Sequence, residues 1–196
     1  MKNLTDHLKT SFNYQSRTMK IAICGKMCSG KSTLANTLKI MDSRYTIYSI
    51  GQAVKDIGKD LFGMKEKDRN LLIQIGAKMR EIDPDVWTKH IVEKTKNETH
   101  CIIDDMRYQN EYDILKDHGF VFIQLHVSRH IQEQRIKKIY TKNYQGHLDN
   151  VDHLSEKNEF TWHPDKLPVM EINSEEDMQI VHQRIHSFLQ KNENNQ

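Results

Sequence analysis

Short apolar runs rich in β-branched residues alternate with longer amphipathic stretches along most of the chain. The runs at 20–24, 45–50, 101–105, 120–126 and 168–172 have the length and composition of buried parallel strands. Between and after them, apolar residues recur at three- and four-residue spacing, as Leu34, Leu38 and Met41 do. This predicts helices over 31–41, 52–62, 67–81, 84–96, 110–117, 129–139 and 175–190. The helix at 84 is punctuated by Asp83 as N-cap and Pro84 as its first residue. The alternation predicts an α/β fold, a five-stranded parallel sheet covered by helices on both faces.

The ends break the pattern. Residues 1–18 are polar and mixed, an N-terminal extension that is either a short helix or a disordered arm, and 191–196 reads as a solvated tail. Residues 19–190 then read as a single domain. Tyr140 to Trp162 is polar and weakly periodic, where a mobile lid would fit, within a lid region of about 128–162.

The chemistry starts directly after the first strand. Gly25-Lys26-Met27-Cys28-Ser29-Gly30-Lys31-Ser32 reads G-x-x-x-x-G-K-S, followed by Thr33 and a helical stripe. Strand, glycine loop and helix form the setting in which this pattern cradles a polyphosphate on backbone N–H groups at a helix N-terminus. Lys31 is expected to reach the β- and γ-phosphates of ATP, and the Ser32 hydroxyl to hold Mg2+. The fold class is therefore the P-loop NTPase three-layer fold. A second signal, Asp104-Asp105, ends the third strand where such sheets present ligands, and strand alternation lets only one of the two face the loop. A third is a set of arginines, Arg80, Arg107, Arg129 and Arg135, suited to phosphate oxygens.

Composition narrows the partners. A net charge of +2 gives no support for a broad nucleic-acid surface. No apolar run reaches membrane-spanning length, so a soluble cytoplasmic protein is expected, with no membrane partner. Cys24, Cys28 and Cys101 lack zinc spacing and read as reduced thiols.

Three further stretches carry a resemblance. They are Ile103-Asp104-Asp105-Met106-Arg107-Tyr108-Gln109-Asn110-Glu111, then Leu71 to Gly76 with Arg80 and Asp83-Pro84-Asp85-Val86-Trp87, and His153-Leu154-Ser155-Glu156. With the loop, they resemble the deoxynucleoside monophosphate kinases of phages and large DNA viruses, over roughly Lys20 to Asn173. The resemblance implies acceptor-nucleotide and lid segments and takes Asp105, the aspartate of D-x-R, as the metal-side carboxylate. It also implies that Arg80 and Arg107 grip the acceptor, with Lys55 opening the acceptor segment. Arg129 and Arg135 would stand on the lid side of the transferred phosphate, and Asn173 beside the adenine. Asp104 and Ala77 depart from the family's pattern, which has a small polar residue and a threonine there. Trp87 is either core or a base-stacking platform, and Tyr108 either stacks on a base or covers its helix.

The expected activity is transfer of the ATP γ-phosphoryl group to a (deoxy)nucleoside monophosphate, a small-molecule partner, in the host cytoplasm if the protein is viral. Dimers occur among the kinases it resembles, which leaves a homodimer open. The rivals are a kinase for another small acceptor, such as dephospho-coenzyme A, and a nucleotide-dependent switch or ATPase.

Overall fold

A computed structural model describes residues 18–153, 156, 160–163 and 168–193. Residues 1–17 of the expected extension at 1–18, Leu154 and Ser155 of the H-x-S-E element, and the last residues of the tail lie outside these. Five strands, β1 (Met19–Gly25), β2 (Thr46–Tyr48), β3 (His100–Met106), β4 (Phe120–His126) and β5 (Val169–Asn173), form one sheet in the order β2-β3-β1-β4-β5. Every pairing is parallel. β1 lies in the middle, and Ile21, Ala22, Ile23 and Cys24 have no solvent exposure.

Side-chain alternation along the central strands builds two cores. Ile21 and Ile23 of β1, Ile102 of β3 and Val121, Ile123 and Leu125 of β4 point to one face. There they meet Leu34, Ala35 and Leu38 of α1 (Lys31–Met41) and Val181, Ile185 and Leu189 of the C-terminal helix, Met178–Glu193. The opposite face carries Ala22, Cys24, Cys101, Ile103, Phe120 and Phe122. These pack on α2 (Gly51–Phe62), α3 (Arg69–Ile82), α4 (Val86–Thr95) and α5 (Gln109–Asp117) through Val54, Ile75, Trp87, Ile91, Tyr112 and Leu115. A fully buried Ile or Leu contributes about 1.5–3 kcal/mol by removal from water, so each face is anchored several times over. This is the P-loop NTPase three-layer fold.

After β4 come α6 (Arg129–Ile139) and a short α7 (Tyr144–Leu148), with α8 being the C-terminal helix Met178–Glu193. The stretch expected as a lid thus contains a helical turn, Tyr144–Leu148, that the weak periodicity does not predict. Leu148 and the neighbouring Val151 pack with Met27 of the phosphate loop and Ile136. The helix expected at 84 starts two residues later, at Val86. Asp83 precedes a proline and adopts extended backbone, φ −141° and ψ 110°, as that neighbour demands. Its carboxylate accepts from the Asp85 N–H (3.0 Å), which makes 83–86 a turn instead of a first helical turn. Among the described residues no helix is long and apolar enough to cross a membrane.

Candidate active site

The phosphate loop joins β1 to α1 at the carboxyl edge of the sheet. Gly25 has φ +147°, and a Cβ there would lie 2.7 Å from the Leu125 carbonyl oxygen and from Ser29 Oγ, so a side chain is excluded on both counts. Cys28 takes the left-handed conformation, φ 59°, which helps turn successive amides inward. Lys31 is buried, and its Nζ donates to the carbonyls of Gly25 and Lys26, both at 2.7 Å. Burial, then the charge of Arg107, lowers its ammonium to about 8. Ser29 Oγ is buried and has no hydrogen-bond partner among the described residues. A glycine cradle, a lysine held on loop carbonyls and an orphan hydroxyl fit a polyphosphate.

The two strand-end aspartates divide their work. Asp104 accepts from Ser32 Oγ at 2.9 Å, which sets a carboxylate and a hydroxyl together at the loop. Burial, and next the charge of Asp105, raise the Asp104 carboxyl above its ordinary value. Asp105 faces the start of α2, where it accepts from Ser49 Oγ (2.5 Å), Ile50 N–H (2.7 Å) and Gly51 N–H (2.9 Å). It caps that helix by satisfying N–H groups that have no partner within it. The place beside Ser32 expected for Asp105 is therefore taken by Asp104. Paired hard oxygens of this kind fit Mg2+.

Two cavities meet at the loop. A cavity of about 400 Å³ is lined by Cys28 to Leu34, Leu125, Arg135, Ile139, Tyr140, Ile172, Ser174, Glu176 and Val181. Arg135 holds it together, donating to Cys28 O (3.2 Å), Ser174 Oγ (3.0 Å) and Ser174 O (3.0 Å). A larger cavity of about 680 Å³ lies on the other side, bordered by Lys55, Lys67, Asp104, Asp105, Arg107, Tyr108, Tyr140 and His153. One stripe of α3 forms its long wall: Arg69, Leu72, Ile73, Gly76, Ala77, Arg80 and Glu81, spaced three and four apart. Arg69 and Arg80 stand about 16 Å apart along the axis at 1.5 Å per residue. Cys28, Lys31, Ser32 and Tyr140 border both cavities.

The ends of the larger cavity differ. Near the loop stand Lys67, Arg69 and Arg107; desolvation, then Arg69 and Lys55, lowers the Lys67 ammonium. At the other end the Arg80 guanidinium lies over the Tyr108 ring, 4.4 Å from its centroid. Arg80 also donates to Gly76 O (3.2 Å) and pairs with the buried Glu111 (3.4 Å). Glu111 accepts from the N–H groups of Arg107 (2.6 Å) and Tyr108 (3.1 Å) as well. Burial pushes its carboxyl up to about 7 against these donors. Asn110 reaches across to Pro84 O (3.1 Å) and Asp85 (2.8 Å). The D-x-R-x-x-N-E stretch is thus largely a bracket: it caps α2 and α5, ties down the 83–86 turn and aims Arg80.

Glu156 and Arg69 are absent from the expected site residues. Glu156 is buried and receives Arg69 Nη2 at 2.9 Å, Arg107 Nη1 and the Met27 N–H of the loop. The H-x-S-E element pointed toward Glu156, but only the folded chain shows that it reaches the loop from 129 residues away. Three expected residues stand apart. Arg129 pairs with Glu133 (2.6 Å) and Asp152 (2.9 Å) on the surface and borders neither cavity. Trp87 is buried, donates to Gly76 O (3.2 Å) and is core. Asn173 is exposed, and its neighbours Ser174 and Glu176 line the smaller cavity instead.

A family model described as AAA domain (AAA_18) matches residues 21–154, from the first strand to beyond α7. The chain belongs to this AAA domain family. No curated protein sequence matches it. Among solved structures, this AAA domain protein is similar to a gluconokinase from Sinorhizobium meliloti 1021, with TM-score 0.59 and 15% identity over 92% of this chain and 97% of that one. It is similar to a sugar kinase from Janibacter sp. HTCC2649, with TM-score 0.60 and 15% identity over 88% and 95%. The third likeness is to shikimate kinase from Aquifex aeolicus vf5, with TM-score 0.54 and 17% identity over 89% and 98%. These are likenesses of fold. They do not single out the viral deoxynucleoside monophosphate type.

Proposed function

We propose that the protein is an ATP-dependent (deoxy)nucleoside monophosphate kinase. The observation that carries this reading is the polarity of the larger cavity. It runs along α3 from the Lys67, Arg69 and Arg107 cluster beside the loop to the Arg80–Tyr108 stack. An elongated acceptor with a dianion at one end and a flat ring at the other suits it. The preference for deoxynucleotides rests on the motif resemblance.

The chemistry asks for cations more than for a base. A phosphate monoester has its second pKa near ~6 and is already a nucleophile at neutral pH. Its oxygen forms a bond to the γ-phosphorus as the bond from that phosphorus to the β–γ bridging oxygen breaks and ADP leaves. Lys31 would exchange its two loop carbonyls for the β- and γ-phosphates, and Ser32 with Asp104 would hold Mg2+. The bound ion supplies charge neutralisation on the phosphate oxygens. Lys67, Arg69 and Arg107 draw the acceptor dianion toward the loop. Tyr140, on the border of both cavities, shields the meeting point from water.

The names gluconokinase and shikimate kinase favour a second reading, with a hydroxyl acceptor. A hydroxyl needs a base to take its proton. Asp105 is engaged by three donors at the α2 cap and Asp104 by Ser32, which supports the phosphate acceptor over the hydroxyl. The test is ADP release from Mg-ATP with each common deoxy- and ribonucleoside monophosphate, products separated by chromatography. Selective formation of nucleoside diphosphates is expected. Turnover with a hydroxy acid and with no monophosphate would install the second reading.

A further inference from the structure

The Glu156 carboxylate joins three separate segments. It accepts from the Met27 N–H in the phosphate loop, from Arg69 Nη2 at the start of α3 and from Arg107 Nη1 just past β3. The side chain has no exposure to solvent. Gln132 of α6 donates to the Met27 carbonyl at 3.0 Å, so the Met27 residue is held through its amide by Glu156 and through its carbonyl by α6. Arg69 and Arg107 both border the larger cavity.

We infer that Glu156 is a positioning residue that couples the two nucleotide sites, setting Arg69 and Arg107 as the anchor for the acceptor's phosphate and registering that anchor against the phosphate loop. This rests on the phosphate-acceptor reading above. Two guanidinium groups at one place repel each other, and a carboxylate between them removes that cost. Burial pushes the Glu156 carboxyl up, but Arg107, the Met27 N–H and Arg69 outweigh it, so the group stays charged and below its ordinary value. The Arg69 Nε is buried and has no hydrogen-bond partner among the described residues, a cost that an arriving anion relieves if the guanidinium turns onto it. When a polyphosphate draws Lys31 off the loop carbonyls, any shift of Met27 is felt by Glu156 and through it by both arginines. Linkage makes the effect mutual: a donor that favours the anchored arrangement raises acceptor affinity, and the acceptor raises donor affinity by the same factor.

Glu156→Gln keeps the volume and one acceptor oxygen for Met27 while removing the charge. Binding is measured by calorimetry for a non-hydrolysable ATP analogue with magnesium, and for the monophosphate that wild type turns over, with and without the analogue. In wild type the analogue should tighten acceptor binding at least fivefold. In Glu156→Gln, analogue affinity should stay within threefold, acceptor affinity should fall tenfold or more, and the tightening should vanish. Unchanged acceptor affinity and coupling overturns the inference. Equal loss of both ligands also overturns it, because a merely structural role predicts that. If Glu156→Gln does not fold, Arg69→Gln decides, since it removes one arm and leaves Glu156 paired with Arg107. The same selective loss supports the coupling, and its absence overturns it. Inorganic phosphate is the probe that separates this inference from the acceptor assignment. Phosphate that binds wild type tighter with the analogue, and loses that gain in Arg69→Gln, upholds the anchor even if no nucleoside monophosphate is phosphorylated.

Discussion

Asp104 and Asp105 are adjacent and chemically identical, yet opposite alternation sends one to Ser32 and the other to the α2 N-terminus. Substitution should separate the two roles. Asp104→Asn is expected to lower turnover at least a hundredfold with little change in melting temperature, since it weakens the oxygen pair that would hold magnesium. Asp105→Asn removes charge from a cap with three donors and should cost about 1–3 kcal/mol of stability, by the scale of charged hydrogen bonds. Chemical denaturation and steady-state assays of both variants check this, and a reversed pattern would return the metal role to Asp105. The sequence made it legible that one strand-end carboxylate would face the loop. It did not show which, because the choice depends on where α2 begins in space. The same limit applies to Arg129 and Arg135. Both follow β4 at similar places, but about one and two-thirds helix turns between them leave Arg135 at the smaller cavity and Arg129 with Glu133 and Asp152.

Periodicity marked α3 as an amphipathic helix, but a stripe of apolar and charged residues looks alike whether it covers a core or lines a cavity. Gly76 shows the difference. A Cβ there would lie 3.2 Å from Arg80 Nη1, so the glycine lets Arg80 lie along the helix and over Tyr108. Gly76→Ala should gain helix stability, by about 0.5–1 kcal/mol on intrinsic grounds, while pushing Arg80 out of place. The expected result is an equal or higher melting temperature, a severalfold rise in acceptor KM and an unchanged ATP KM. A rise in both KM values would mean that α3 as a whole has moved. Glu111, at the start of α5, gives a pH signature. Burial raises it to about 7 against the favourable donors Arg107 N–H, Arg80 and Tyr108 N–H, with Asp105 adding to the rise. Between the ordinary value near 4.5 and about 7 the native state binds the proton more tightly than the unfolded state does. Stability therefore falls as pH rises through that window and levels off above it. Denaturation midpoints at pH 5 and 7.5 should differ less in Glu111→Gln than in wild type; equal differences would remove Glu111 as the source.

For the molecule as a whole, alternating strands and helices announced the three layers. The order β2-β3-β1-β4-β5 was not legible, because crossover packing sets strand neighbours and local pattern does not. That order puts β1 between β3 and β4, so the loop after β1 is flanked by Asp104 on one side and by the β4–α6 connection on the other. The two cavities consequently share the loop as their common wall. A ligand that fills this seam braces both halves of the fold, which gives a measurement independent of turnover. At a hundred times its dissociation constant, a ligand that binds only the native state stabilises it by about 2.7 kcal/mol. For a chain of this size each kcal/mol raises the melting temperature by about 2–4 °C, so saturating Mg-ATP should raise it by roughly 5–11 °C. Lys31→Ala should fold with a melting temperature near that of the free wild type, lose that shift and lose several orders of magnitude in turnover. A full shift retained in Lys31→Ala would place the nucleotide elsewhere on the molecule and detach the larger cavity from phosphoryl transfer.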